Sequence, residues 1–69
     1  MKKTFTAINI NTADEAGLCA LPGIGPAYAV RIIELREKTG GFAKKEDLLK
    51  VKGIGPKRYE RIAHLIDVK

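Results

Sequence analysis

The stretch LPGIGPAYAV, residues 21–30, is followed thirty positions later by VKGIGPKRYE, residues 51–60. A chain of 69 residues that writes Gly-Ile-Gly-Pro twice in register has little architectural freedom left. Setting residues 20–36 against 50–66 gives identities at Gly23/Gly53, Ile24/Ile54, Gly25/Gly55, Pro26/Pro56, Arg31/Arg61, Ile32/Ile62 and Leu35/Leu65. The repeat is one supersecondary unit, a helix, a tight turn and a second helix. Two copies are too few for a solenoid, so their apolar faces are expected to close on each other as a pseudo-two-fold pair with one core.

Size makes that core compact, because a chain this short removes only about 60% of its unfolded surface from water. Cys19 is the single cysteine and His64 the single histidine, which excludes an internal disulfide and leaves no Cys/His cluster for a structural metal. Apolar residues make up 45% of the chain, and β-branched runs are scarce, which favours helices. The predicted fold is all-α: a compact tandem helix-hairpin-helix domain of the SAM-like kind with four to five short helices. It forms one domain over 1–69, with an extended lead-in at 1–11, hairpin one at 12–40 and hairpin two at 44–67.

Ile8 and Ile10 are expected to pin the lead-in to the domain. Thr12 and Glu15 are spaced as a capping box, which starts helix one near Ala13 and accounts for Asp14 and Glu15 as helix-start acids rather than a catalytic pair. Pro22 and Gly23 stop this helix near Ala20. Pro26 then opens a helix to Thr39 whose Ala29, Val30, Ile32, Ile33 and Leu35 cover more than half its circumference, marking it as the most buried element. Gly40 and Gly41 supply a left-handed cap, and Phe42 folds back onto the core. A short helix over 45–50 is expected to bury Leu48 and Leu49, although no Ser, Thr or Asp precedes it. The last helix begins at Pro56 and carries Tyr59, Ile62, Ala63 and Ile66 as an apolar stripe, leaving Lys57, Arg58, Arg61 and His64 free to face a partner.

The net charge is +5, and its placement says more than its size. Residues 1–34 hold three Lys/Arg against three acids, and residues 35–69 hold ten against five. A basic half-molecule points to a polyanionic partner, nucleic acid ahead of an acidic membrane surface. The start MKKTFTAINI has the cations of an export signal but no apolar stretch behind them. The expected location is therefore cytoplasmic if the chain is complete, and periplasmic or extracytoplasmic if a signal or anchor precedes it.

The repeated turn itself suggests the chemistry. Glycines at both ends of a three-residue turn permit positive φ and let an outside group approach the main chain closely. Each turn opens directly into a helix, where unpaired N–H groups and the positive dipole end converge on a site suited to a phosphate oxygen. Lys52, Lys57 and Arg58 surround the second turn only. GIGPAY lacks the third glycine and the preceding strand of a dinucleotide fingerprint, and no Gly-Lys-Ser/Thr follows to make a nucleotide P-loop. His64 is alone, Cys19 reads as a packing residue, and Tyr28 reads as lying over its hairpin. With no nucleophile–base pair in the chain, no enzymatic activity is expected.

The order ININ-TA, LPGIG, RI, GGF, EDL and VKGIG resembles the helix-hairpin-helix domain of the ComEA-type competence DNA receptors over residues 8–66. The resemblance implies sequence-independent binding of double-stranded DNA, both hairpins presenting backbone amides to phosphates across the minor groove. Carried onto this chain, the donors are Gly23, Gly25, Ala27 and Tyr28 in the first hairpin, and Gly53, Gly55, Lys57 and Arg58 in the second. Ile24, Ile54, Lys52 and Arg61 complete the expected contact set. The resemblance also implies occasional monovalent cation binding, Na+ or K+, by the carbonyls of Cys19, Leu21 and Ile24 and of Leu49, Val51 and Ile54. No other cofactor, no small-molecule substrate and no membrane contact is expected of this chain, which should act as a monomer. The small residue expected behind the turn is present as Ala29 and replaced by Tyr59. DNA uptake and DNA repair both remain open as the process. A protein-assembly module of the same fold, or the targeting part of a larger nuclease or repair enzyme, are the other readings.

Overall fold

The computed structural model describes residues 7–68. The elements run β1 (Ile8–Asn9), α1 (Glu15–Cys19), α2 (Pro26–Thr39), a 3₁₀ helix (Lys45–Lys50), α3 (Pro56–Ile62) continued by one 3₁₀ turn (Ala63–Leu65), and β2 (Ile66–Asp67). Helices dominate, as the sequence predicts. Among the described residues no helix is long and apolar enough to cross a membrane.

One core serves both hairpins. Among the described residues, its fully enclosed large side chains are Ile10 from the lead-in, Leu18 and Ile32 from the first hairpin, and Leu48 and Ile62 from the second. Each contributes about 1.5–3 kcal/mol through burial, so neither hairpin holds its share of the core without the other. The period of thirty survives in three dimensions. Leu18/Leu48, Leu21/Val51, Ile24/Ile54 and Ile32/Ile62 are all buried pairs. The turn bonds repeat too, with Leu21 N–H donating to Leu18 O and Val51 N–H to Leu48 O, then Ile24 N–H to Leu21 O and Ile54 N–H to Val51 O.

Helix α1 starts two residues later than the capping box predicts. The Asn9 carbonyl accepts from the N–H groups of Thr12 and Ala13 at 3.1 and 2.9 Å, which places Thr12 in a turn. Asp14 then stands directly before the helix, and its Oδ1 accepts from Gly17 N–H at 2.8 Å. Helix α2 has its predicted bounds, with Pro26 at its start and Gly40 (φ 80°) at its cap. It is less buried than its composition suggests. Only Ala29 and Ile32 are enclosed, Ile33 and Leu35 are half-buried, and Val30 is 40% exposed, because so small a domain covers this helix along a narrow stripe.

The 3₁₀ helix finds its missing cap from within. Asp47 Oδ2 accepts from Ala43 N–H at 2.9 Å and Lys44 N–H at 3.3 Å. These bonds, that from Ala43 foremost, hold the carboxyl below its ordinary range despite some desolvation, with Lys50 assisting at 3.6 Å. Leu48 is buried, but Leu49 is 41% exposed, contrary to expectation. A threefold helical period turns adjacent residues about 120° apart, so the two leucines cannot share a face.

The apolar stripe of the last helix is also cut short. The helix ends before Ile66, which turns extended (φ −124°, ψ 163°) and pairs in parallel with Ile8. Ile66 is buried all the same, delivered by a strand rather than by the i+7 position. Lys45 Nζ donates to Ala63 O at 2.9 Å and satisfies one of the carbonyls that the helix end leaves over. The lead-in is anchored as expected: Ile10 is enclosed, and Arg36 Nη1 donates to Ile10 O and Ala13 O at 3.0 and 2.8 Å. Asn11 brackets Phe42 by donating to its carbonyl and accepting from its N–H, which folds the buried Phe42 ring back onto the core.

Candidate nucleic-acid interface

The two glycine turns have the same geometry. Gly23 and Gly53 have φ of 80° and 93°, the left-handed region that excludes most side chains. Gly25 and Gly55 cap α2 and α3 in extended conformation (φ −92° and −96°), and a Cβ built on either would meet nothing within 4 Å. The space in front of both helix starts is open.

Some main-chain N–H groups of each turn are engaged within it, and others are not. Within each turn the central N–H is used internally, Ile24 to Leu21 O and Ile54 to Val51 O. Ala29 and Tyr59 N–H are the first to enter the helical pattern, donating to Gly25 O and Gly55 O at 2.9 Å. The N–H groups of Gly23, Gly25, Ala27 and Tyr28 have no acceptor among the described residues, nor do those of Gly53, Gly55, Lys57 and Arg58. These eight are the donors carried over from the resemblance. Ile24 and Ile54, counted with them in the contact set, turn inwards: their side chains are 3% exposed and their amides are engaged.

The hairpin carbonyls retain acceptor capacity as well. Among the described residues, Cys19 O and Ile24 O of the first hairpin accept no bond and Leu21 O accepts one, from Ile24 N–H. In the second, Leu49 O and Ile54 O are likewise unengaged among the described residues, and Val51 O accepts one. Each carbonyl carries two lone pairs, so both sets retain capacity for a hard monovalent cation.

Charge is asymmetric between the turns. Lys52, Lys57 and Arg61 are exposed and have no carboxylate within salt-bridge distance among the described residues. Lys57, Arg58 and Arg61 line a shallow depression on α3. The first turn has Ala27 and Tyr28 at the positions of Lys57 and Arg58.

Arg58 is not free, as its place outside the apolar stripe had suggested. Its Nη1 donates to Gly23 O at 3.0 Å, and its guanidinium lies 4.5 Å from the centre of the Tyr28 ring. Arg31 reaches the opposite way: its Nη1 donates to Lys52 O at 3.2 Å, and its guanidinium is 5.5 Å from the same ring. Sequence reasoning missed this cluster. The one signal for it was the repeat, which puts Tyr28 and Arg58 at equivalent positions, where a pseudo-two-fold axis brings residues together. Tyr59, in place of the expected small residue, is half-buried at the core's edge. Desolvation, followed by the Glu46 charge, pushes its phenol above the ordinary value. His64 is exposed, and the described residues hold no group of His, Cys, Asp and Glu that could bind a metal ion.

Comparison with known proteins identifies the family. The family model for the helix-hairpin-helix motif matches residues 3–67. ComE operon protein 1 of Bacillus subtilis is 47% identical over 62 residues, 90% of this chain and 30% of that protein. Endonuclease/exonuclease/phosphatase family domain-containing protein 1 of Homo sapiens is 49% identical over 55 residues, 80% of this chain and 10% of that protein. S1 RNA-binding domain-containing protein 1 of Pongo abelii is 40% identical over 65 residues, 94% of this chain and 6% of that protein. The chain thus spans under a third of each of these relatives.

Proposed function

Because the chain belongs to the helix-hairpin-helix family, we propose that it is a non-catalytic module that binds double-stranded DNA through its sugar-phosphate backbone without sequence preference. The observation that carries this reading is the set of eight N–H groups without an acceptor among the described residues at two equivalent turns, with open space at Gly25 and Gly55. Amides in that arrangement suit phosphate oxygens and carry no information about bases. The first turn positions the duplex. The second adds Lys52, Lys57 and Arg61, the source of most of the electrostatic attraction.

A monovalent cation such as Na+ or K+ on the carbonyl sets of Cys19, Leu21 and Ile24 and of Leu49, Val51 and Ile54 belongs to the same proposal, and it would place positive charge behind each turn. The likeness to a ComE operon protein supports a role in competence and DNA uptake ahead of one in repair.

Fluorescence anisotropy on random-sequence duplexes at several salt concentrations tests the reading. With about three to five phosphates neutralised, log K should fall with log salt at a slope of about −3 to −4.5. Equal affinity for unrelated sequences is expected. Absence of binding at low salt, or binding indifferent to salt, would refute it and leave the assembly-module reading in its place.

A further inference from the structure

The cluster at the seam between the hairpins is built reciprocally. Residues thirty apart are equivalent, so Tyr28 corresponds to Arg58 and Gly23 to Gly53. Arg58 covers Gly23: a Cβ built there would lie 3.2 Å from Arg58 Nη1. Tyr28 covers Gly53: a Cβ there would lie 2.5 Å from Tyr28 Cε1. The two covering residues then stack on each other, and Arg31 adds its bond to Lys52 O. Each turn is therefore held at its first glycine by the helix start of the opposite hairpin.

We propose that Arg58, with Tyr28 and Arg31, is a positioning brace that fixes the spacing of the two turns, and that its guanidinium is not a phosphate contact. The inference rests on the DNA-binding reading above and assigns the Arg58 side chain a role within it. Three observations support the division. The fork donates to a protein carbonyl and lies over a protein ring. Its Nε is shut off from solvent with no acceptor among the described residues, so the group is set into the seam rather than extended from it. Lys57, one residue earlier, is exposed with no partner among the described residues and is placed to supply the charge. The backbone N–H of Arg58 remains one of the open donors, so backbone and side chain of one residue have separate tasks.

The physical content is preorganisation. Two anion-binding turns at a fixed separation engage a duplex as one unit, and the second contact comes at high effective concentration. Releasing the brace lets the turns move independently, without changing how many phosphates are neutralised. Lysine cannot substitute, since an ammonium has neither the planar fork nor the stacking face of arginine.

The test compares Arg58→Lys, Arg58→Gln and Lys57→Gln by anisotropy on a random duplex across a salt series. Both Arg58 variants should weaken binding about tenfold with the salt slope unchanged, since effective concentration falls while charge contacts stay. Lys57→Gln should make the slope shallower by about 0.9. If Arg58→Lys binds like the parent while Arg58→Gln loses about 0.9 from the slope, Arg58 is a phosphate contact and the inference fails. Unaltered affinity in both also overturns it.

A thermal-unfolding cycle of Arg58→Gln, Tyr28→Leu and the double variant reads the brace without DNA. Each single change should lower the melting temperature by about 4–8 °C, and the double variant should lose clearly less than the two together. Additive losses refute the brace. A parent that melts cooperatively and shows this coupling but binds no duplex refutes the DNA reading instead. Should Arg58→Gln not fold, Arg58→Lys serves both arms.

Discussion

The two turns predict unequal responses to the same substitution. Gly23 and Gly53 both sit at positive φ, so an alanine at either incurs the strain of a left-handed residue, about 1–2 kcal/mol, partly offset by about 0.4–1 kcal/mol from a stiffer unfolded chain. The neighbours decide the rest. At Gly23 the new methyl would meet Arg58 Nη1 at 3.2 Å, a contact that a shift of a few tenths of an ångström relieves while the guanidinium keeps its place over Tyr28. At Gly53 it would meet Tyr28 Cε1 at 2.5 Å and Arg31 Nη1 at 2.9 Å, and a ring held between two guanidinium groups has no such slack. Displacing Tyr28 forces an unfavourable rotamer at about 0.5–1.5 kcal/mol and gives up cation–π contact at about 0.5–1 kcal/mol. Gly53→Ala should therefore destabilise by about 2–3 kcal/mol and Gly23→Ala by about 1 kcal/mol. Urea unfolding followed by far-ultraviolet circular dichroism measures both. The reasoning is refuted if Gly23→Ala is the more damaging, or if Gly53→Ala stays within about 0.5 kcal/mol of the parent.

Two further outcomes are expected. Gly55→Ala adds a methyl to open space at ordinary φ, so stability should move by less than about 0.5 kcal/mol while duplex affinity falls severalfold; a matching loss of stability would mean the turn is damaged rather than obstructed. Asp47 has a lowered pKa in the folded state, chiefly through the Ala43 N–H bond, so its stabilising contribution is present above the ordinary carboxylate pKa and lost as pH falls through the lowered one. Asp47→Asn should flatten the acid limb of the stability profile and reduce stability at neutral pH, and an unaltered acid limb in pH-dependent urea titrations would exclude this carboxylate as its origin.

Those parts of the fold governed by local stereochemistry were legible in the sequence. Pro26 and Gly40 delimit α2 because ring closure and positive φ act on the residue itself, and the register of the turns came from the repeat alone. Asp14 displaced Thr12 as helix cap because a carbonyl of Asn9, outside the helix, claimed the Thr12 amide first. Ile66 left the helix because Ile8, 58 positions earlier, offered it a strand, a choice that no window of residues reveals. The eight amide donors could be named through the family resemblance, which transfers because main-chain donors follow turn type. The engagement of Arg58 could not, since it depends on how two distant turns meet.

The pairing of Ile8–Asn9 with Ile66–Asp67 is parallel, which has a mechanical consequence. The chain enters at one end of this ribbon and leaves at the other. Tension applied between flanking polypeptide on the two sides would load the ladder in shear, with its hydrogen bonds sharing the force, instead of peeling them one at a time. A domain closed in this way resists being drawn out from its ends.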